Sequence, residues 1–227
     1  MQTDIFKELF PLFDAASAET LEWLLAEAVE RDYPPGRAVL MEDAWGNAVY
    51  FILSGWLKVR FLRSQDATTL AILGNGDFFG EMAILDESPR STDVVAFTPV
   101  RVLSVPAQKF IQFLFKDPQL HHRMLQLMVR RLRKTNQRIQ LRQQVAAVRI
   151  ATILTSLAQS YGSKTDAGID IFNIPVQDIA DLSEVSPEDT TKVLDKLKEK
   201  GWIVIDPKRQ VMSIANEKQM LQLATFR

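Results

Sequence analysis

The 227-residue sequence predicts an α+β protein in three consecutive parts. These are an N-terminal double-stranded β-helix, or jelly roll, over residues 1–117, a long helix over 118–145 and a winged helix-turn-helix over 146–227. Three observations predict it. Between Arg37 and Val105, short apolar runs alternate with turn residues, as in sheets of many short antiparallel strands. From Pro118 onward, apolar residues recur at spacings of three and four, with no further Pro or Gly for more than 25 residues. The last third reads helix, turn, helix and hairpin, which together make a winged helix-turn-helix.

Taken in order, the first 30 residues read as helical. Phe6, Leu9, Phe10 and Phe13 recur at helical spacing around Pro11. Ser17 can cap a helix over 18–30 whose buried face is Leu21, Leu24, Leu25 and Ala28. Tyr33-Pro-Pro-Gly36 stops that helix and turns the chain. Residues 49–53 form a continuous apolar strand turned by Ser54-Gly55, after which Leu57, Val59 and Phe61 alternate with Lys58 and Arg60. Residues 68–73, 93–97 and 100–105 supply further strands, the last two separated by Thr98-Pro99.

Residues 106 to about 159 read as helical again, interrupted near Asp117-Pro118, where Asp117 is a cap and Pro118 suits the first turn. Leu125, Met128, Leu132, Thr135 and Ile139 then trace the seam of a two-stranded coiled coil, which predicts a homodimer through this helix. The alternative is an amphipathic helix packed on its own sheet. Thr135 is the one polar member of the seam, and its hydroxyl costs stability there unless paired. After a loop at 161–168 come a strand at 169–174, a helix at 175–183, a turn at 184–186 and a helix at 187–200. Ser186 caps that last helix, with Pro187 at its first position and Asp189 near the positive end of its dipole. Residues 202–205 and 211–214 make the hairpin.

Composition narrows the class. The apolar fraction of 47% and charged fraction of 24% are those of a globular protein, and no run of about 18 apolar residues suggests a membrane span. The first residues lack the regions of a signal peptide, so a cytoplasmic protein without membrane partners is expected. There is no cysteine, so disulfides, thiolate metal sites and iron–sulfur clusters are excluded. His121 and His122 are adjacent, the wrong spacing for metal ligands on a helix, so no metal or haem is expected. Gly74-x-Gly76 lacks the Gly-Lys-Ser/Thr of a P-loop, and no nucleophile–base set exists, so no enzyme is expected. The net charge of −1 hides a segregation: 10 Lys/Arg against 17 Asp/Glu in residues 1–117, nine against none in 118–165, and eight against 11 thereafter.

The most specific stretch is Gly74-Asn-Gly-Asp-Phe-Phe-Gly-Glu-Met-Ala-Ile-Leu-Asp-Glu-Ser-Pro-Arg-Ser-Thr92. Its glycines permit positive φ, and Gly80 to Leu85 can form a short helix with free N–H groups at its start. Glu81 can accept from a sugar hydroxyl, while Arg90, Ser91 and Thr92 can donate to a phosphate. The bland alternative pairs Arg90 with Asp86 or Glu87 across a hairpin. The joint Gly-Glu and Pro-Arg-Ser pattern resembles the phosphate-binding cassette of cyclic-nucleotide-binding domains, and more narrowly that of the cyclic-AMP receptor branch of the CRP/FNR transcription regulators. Tyr50-Phe-Ile-Leu-Ser-Gly55 is similar to a segment of the same family.

That resemblance implies a cyclic-nucleotide-binding sensor in 1–117, with cyclic AMP held by Gly80, Glu81, Met82, Ala83, Arg90, Ser91 and Thr92. Thr135 and Asn136 would reach the adenine, partly across the dimer; Asn136 stands where relatives carry serine. The same helix carries Arg130, Arg131, Arg133, Lys134 and Arg138 without an acidic neighbour. They form a solvated face, or meet the acidic sheet domain, or hold a ligand with two phosphates. Because some relatives sense cyclic di-GMP, Arg131 and Arg138 keep that ligand open.

The resemblance also implies double-stranded DNA as a partner, with Ser186, Glu188, Lys192, Lys208 and Arg209 at the duplex, and leaves RNA polymerase or another transcription factor as a further one. Two departures stand out. Glu184 occupies the turn position where the motif usually has glycine, and Pro187 the position of a base-reading arginine. Residues 166–206 hold ten acids and four lysines, an awkward charge for a surface that must neutralise phosphates. Two outputs therefore stand: a ligand-gated homodimeric transcription regulator, or a cyclic-nucleotide effector acting through a protein partner.

Overall fold

The computed structural model describes residues 3–63 and 66–225. The chain falls into two compact units, Met1–Ala67 with Ala71–Thr135, and Thr68–Leu70 with Asn136–Arg227. Among the described residues, no helix is long and apolar enough to cross a membrane.

The first unit opens with α1 (Thr3–Leu9), a 3-10 turn at Pro11–Phe13 and α2 (Ala18–Glu27), capped by Ser17, whose hydroxyl accepts the Thr20 N–H at 3.1 Å. The expected helix to residue 30 is corrected here. α2 stops at Glu27, and β1 (Val29–Tyr33) pairs antiparallel with residues 100–104. A ladder partner distant in sequence outweighs local helix propensity over those residues.

Then follow β2 (Ala38–Leu40), β3 (Ala48–Ser54), β4 (Leu57–Arg63), β5 (Asp66–Leu73), β6 (Phe78–Phe79), α3 (Glu81–Leu85), β7 (Asp93–Ala96) and β8 (Val100–Pro106). They form two four-stranded sheets, ordered β1-β8-β3-β6 and β2-β7-β4-β5, the jelly roll expected from the turn pattern. Tyr50, Ile52, Val94, Val100 and Val102 face a core between the sheets. Val49, Phe51, Leu103 and Val105 point the other way, into a second core. β3 is therefore covered on both faces, which is why it reads as an unbroken apolar run rather than an alternation.

The second core is aromatic. Phe6, Phe10, Phe13, Phe51, Phe110 and Phe113 are all fully buried, and the rings of Phe6 and Phe10 lie 4.6 Å apart. Phe110 and Phe113 come from α4 (Ala107–Lys116), and Leu120 and Met124 come from the first turns of α5 (Pro118–Leu141). Asp117, between these helices, caps α5 by accepting the N–H groups of Gln119 (3.0 Å) and Leu120 (3.1 Å). Its other oxygen accepts the Ser17 N–H (3.0 Å) and the Thr20 hydroxyl (2.9 Å). Burial alone would raise the Asp117 pKa, but these four hydrogen bonds outweigh it and hold the carboxyl below its usual range. The stability it contributes is therefore present above the ordinary carboxylate pKa and lost as pH falls through the lowered folded value. Asp117→Ala is expected to cost about 2 kcal/mol at neutral pH, read from denaturant unfolding, and to flatten the acid limb of the stability profile.

The second unit contains the end of α5, then α6 (Ala146–Tyr161), β9 (Ser163–Thr165), β10 (Gly168–Phe172), α7 (Val176–Ser183), α8 (Pro187–Glu199), β11 (Ile203–Asp206), β12 (Val211–Ile214) and α9 (Glu217–Ala224). β11-β12-β10-β9 is one antiparallel sheet, and Ile150, Leu154, Ile179, Leu194, Met212 and Met220 are buried within the unit. Three expectations need correction. The helix expected to run to about residue 159 breaks at residues 142–145, where i to i−3 bonds from Arg142, Gln143 and Gln144 tighten the last turn of α5 without any Gly or Pro to announce it. The expected loop at 161–168 contains β9, which pairs with β10, and β10 ends at Phe172 rather than 174. Finally, α9 has no counterpart in the expectations, although Asn216 caps it by accepting the Gln219 N–H at 3.1 Å.

Candidate functional site

Gly80 takes φ +87 as the cap of α3, and a Cβ there would lie 2.9 Å from Nη1 of Arg90. On the other side, a Cβ on Gly46 would lie 3.1 Å from Cζ of Arg90. The Arg90 guanidinium thus slides between two bare backbones. It is 4% exposed, donates Nη1 to the Gly80 carbonyl and Nη2 to the Ala48 carbonyl at 2.8 Å. Its own backbone is pinned to the strand approach, with Arg90 N–H on Ala44 O and Asp43 N–H on Arg90 O, both at 2.9 Å. Its partners are these carbonyls, so the hairpin pairing with Asp86 or Glu87 is not what the fold makes. These carbonyls use two of its five guanidinium donors.

Glu81, first residue of α3, is 1% exposed. Its carboxylate accepts from Nη1 of Arg131, whose Nη2 also donates to the Phe78 carbonyl at 2.5 Å while the guanidinium sits 4.4 Å above the Phe78 ring. Burial pushes the Glu81 carboxyl up, and Arg131 together with a backbone N–H and Arg90 pull it part of the way back. Burial likewise lowers the pKa of Arg90. The result is a buried carboxylate and a buried guanidinium at the start of one short helix, with a second guanidinium delivered by the long helix. Ala83 is buried, Met82 and Ser91 are exposed, and Thr92 is half-buried. Tyr50 stacks on Phe79, centroids 5.2 Å apart, beside Phe78 in β6.

Along α5, one face packs inward and another is exposed. Leu120 and Met124 are buried in the unit's own core, with Leu127 and Met128 packed against it. Leu125, Val129, Leu132 and Ile139 are between 49% and 60% exposed. The outward stripe is therefore 125, 129, 132, 136 and 139, a four-three-four-three spacing with Asn136 as its polar member. Of the expected seam, Leu125, Leu132 and Ile139 are exposed, whereas Met128 is half-buried against the inward core. Thr135 lies one residue off the stripe, its hydroxyl turned back to the Arg131 carbonyl at 3.1 Å. Arg138 lies in the second unit, donating Nη2 to the Leu182 carbonyl at 3.1 Å.

In the second unit, Ser186 caps α8 by accepting the Asp189 N–H at 3.1 Å, as its position predicts. Glu188 is exposed on the first turn. Lys192 is 68% exposed and pairs with Asp189 at 2.9 Å, and Lys198 pairs with Asp195 at 3.0 Å. Such exposed pairs are weak, so a phosphate can take the lysine at little cost. Lys208 and Arg209 sit at the β11–β12 turn, their N–H groups on Asp206 Oδ1 at 3.0 and 3.1 Å. Glu184 has φ +52, the left-handed conformation that a glycine usually supplies. Gly46, Ala48 and Val129 escaped the sequence reading. The first two have no local motif, and Val129 competes with Met128 for one helical position.

Comparison with known proteins follows this division. The cyclic nucleotide-binding domain model matches residues 30–117 and the Crp-like helix-turn-helix domain model matches residues 148–223. The chain is 31% identical over 202 residues to a cyclic AMP receptor protein of Thermus thermophilus, covering 87% of this chain and 89% of that one. It is 28% identical over 206 residues to a CRP-like cAMP-activated global transcriptional regulator of Mycobacterium tuberculosis, covering 89% and 92%. The solved structure of FixK2 from Bradyrhizobium japonicum shares the fold at a TM-score of 0.76 and 19% identity, covering 88% of this chain and 98% of that one.

Proposed function

Given that this chain belongs to the CRP/FNR family of transcription regulators, we propose that it is a cyclic-AMP-responsive, homodimeric, DNA-binding regulator acting in the cytoplasm. The observation that carries the ligand is the placement of Glu81 and Arg90, both almost fully buried, at the start of α3. One carboxylate for a ribose hydroxyl and one guanidinium for a phosphate suit a single cyclic mononucleotide. Gly80, Met82, Ala83, Ser91 and Thr92 shape that cradle, and Arg131, Thr135 and Asn136 complete it from α5. The relatives at 31% and 28% identity are named for cyclic AMP. This favours cyclic AMP over cyclic di-GMP.

The sensor is assigned to residues 1–117, the dimerisation helix to 118–145 and the winged domain to 146–227. The outward stripe on α5 is the dimer seam. With two copies related by a two-fold axis, α8 of each enters a major groove and reads half of a palindromic site through Ser186, Glu188 and Lys192, while Lys208 and Arg209 meet phosphates. The Crp-like match over 148–223 supports this output over one through a protein partner.

Calorimetric titration of the purified protein with cyclic AMP, cyclic GMP and cyclic di-GMP tests the ligand. Cyclic AMP is expected to bind at one molecule per chain and at least 10-fold more tightly than the other two. Tighter binding of cyclic di-GMP, weakened by Arg131→Ala, would overturn the assignment.

A further inference from the structure

We propose that Arg142 and Arg149 form a guanidinium clasp that substitutes for the missing turn glycine and so positions the recognition helix α8. The inference rests on the DNA-binding reading and extends it to residues outside the duplex contact.

The turn between α7 and α8 is short. Glu184 follows the last residue of α7, and Ser186 already caps α8. The backbone angles of Glu184, φ +52 and ψ +40, therefore decide the direction in which α8 leaves α7. An L-residue with a Cβ resists that conformation, so something must hold it. Inside the turn, the Glu184 N–H bonds Asp181 O at 3.2 Å and the Val185 N–H bonds Ala180 O at 3.0 Å.

From outside it, arginines take the carbonyls that a helix end leaves unpaired. Arg149, on α6, donates Nε to Ser183 O at 2.7 Å and Nη2 to Glu184 O, so one planar fork spans both residues. Arg142, in the break before α6, pairs its Nε with Oε2 of Glu184 at 2.8 Å. Arg138 takes the Leu182 carbonyl. Three consecutive carbonyls and one carboxylate are thereby held by three guanidinium groups that line one recess with Leu141 and Ile153. A glycine at 184 would adopt the angles freely but would offer Arg142 nothing. The glutamate adopts them under strain and offers a carboxylate. The unusual residue and the unexplained arginine are thus two halves of one device.

The test uses full-length protein saturated with cyclic AMP. The probe is a duplex that the unmodified protein selects from a random-sequence pool, and amide exchange is followed at residues 184 and 185. Arg149→Ala should speed exchange at both amides at least ~10-fold and weaken the duplex ~10-fold, with the salt slope unchanged. A residue touching phosphate would instead lower that slope by about one. Cyclic-AMP affinity should not move. Arg142→Ala should weaken the duplex several-fold, and Glu184→Gly added to it should restore binding, because glycine needs no partner at that angle. If Arg149→Ala does not fold, Arg149→Lys, which keeps the charge and loses the fork, is expected to show a smaller change in the same direction.

Unchanged exchange in Arg149→Ala would overturn the clasp. Faster exchange with unchanged duplex affinity would overturn the positioning role. Failure of the unmodified protein to select any duplex would overturn the DNA reading and the positioning role with it, while the exchange rates still decide whether the clasp exists.

Discussion

Arg90→Ala is expected to weaken cyclic-AMP binding at least ~100-fold, about 3 kcal/mol, when measured by calorimetry. A charged, preorganised donor held between Gly46 and Gly80 is lost. The same change leaves the Gly80 and Ala48 carbonyls without their donor, so some loss of thermal stability accompanies it. Arg90→Lys separates the two effects. It restores a positive charge but cannot reach both carbonyls and a phosphate at once, so stability should recover less than ligand binding. A folded Arg90→Ala protein with unaltered affinity would end the cassette reading.

Leu132→Glu is expected to raise the dimer dissociation constant at least ~1000-fold, about 4 kcal/mol, in sedimentation or light-scattering dilution series. Leu132 is 60% exposed in the single chain and sits mid-stripe. A two-fold axis brings such a residue against its own copy, so the substitution sets two carboxylates face to face in an apolar seam. Because Leu132 points away from the core formed by Leu120 and Met124, the monomer should remain folded. A dimer that persists at the original concentration would move the interface off α5. The same variant should bind a palindromic duplex no better than a half-site.

Much of this was legible because the signals are local. Gly80, Glu81 and Arg90 carry their chemistry within eleven residues. β3 declares itself by five successive apolar side chains, and Asp117-Pro118 is a cap written in two letters. What escaped depends on partners far along the chain. β1 begins where the helical spacing of α2 runs on to residue 30, and its strand partner β8 lies about 70 residues away. The end of α5 is closed by backbone bonds alone. Met128 and Val129 are equally apolar, so the phase of the outward stripe is set by which of them meets the aromatic core. Arg131 is one of five cations clustered between residues 130 and 138, and its contacts with Glu81 and Phe78 distinguish it. Glu184 was recognisable as a departure, but its compensation lies in Arg142 and Arg149, dozens of residues upstream.

One consequence follows from the two faces of α5. Leu120 and Met124 are locked into the aromatic core while Leu125, Val129 and Leu132 look outward, and a helix advances about 100° per residue as a rigid rod. Turning the rod to re-phase the outer stripe by one position would carry Leu120 and Met124 out of their sockets. The helix therefore behaves as a keyed shaft with very few permitted angles. Arg131 is cut into the same shaft and engages Glu81. On the proposed reading, occupancy of the cradle and the angle offered to a second copy are two readings of a single mechanical coordinate.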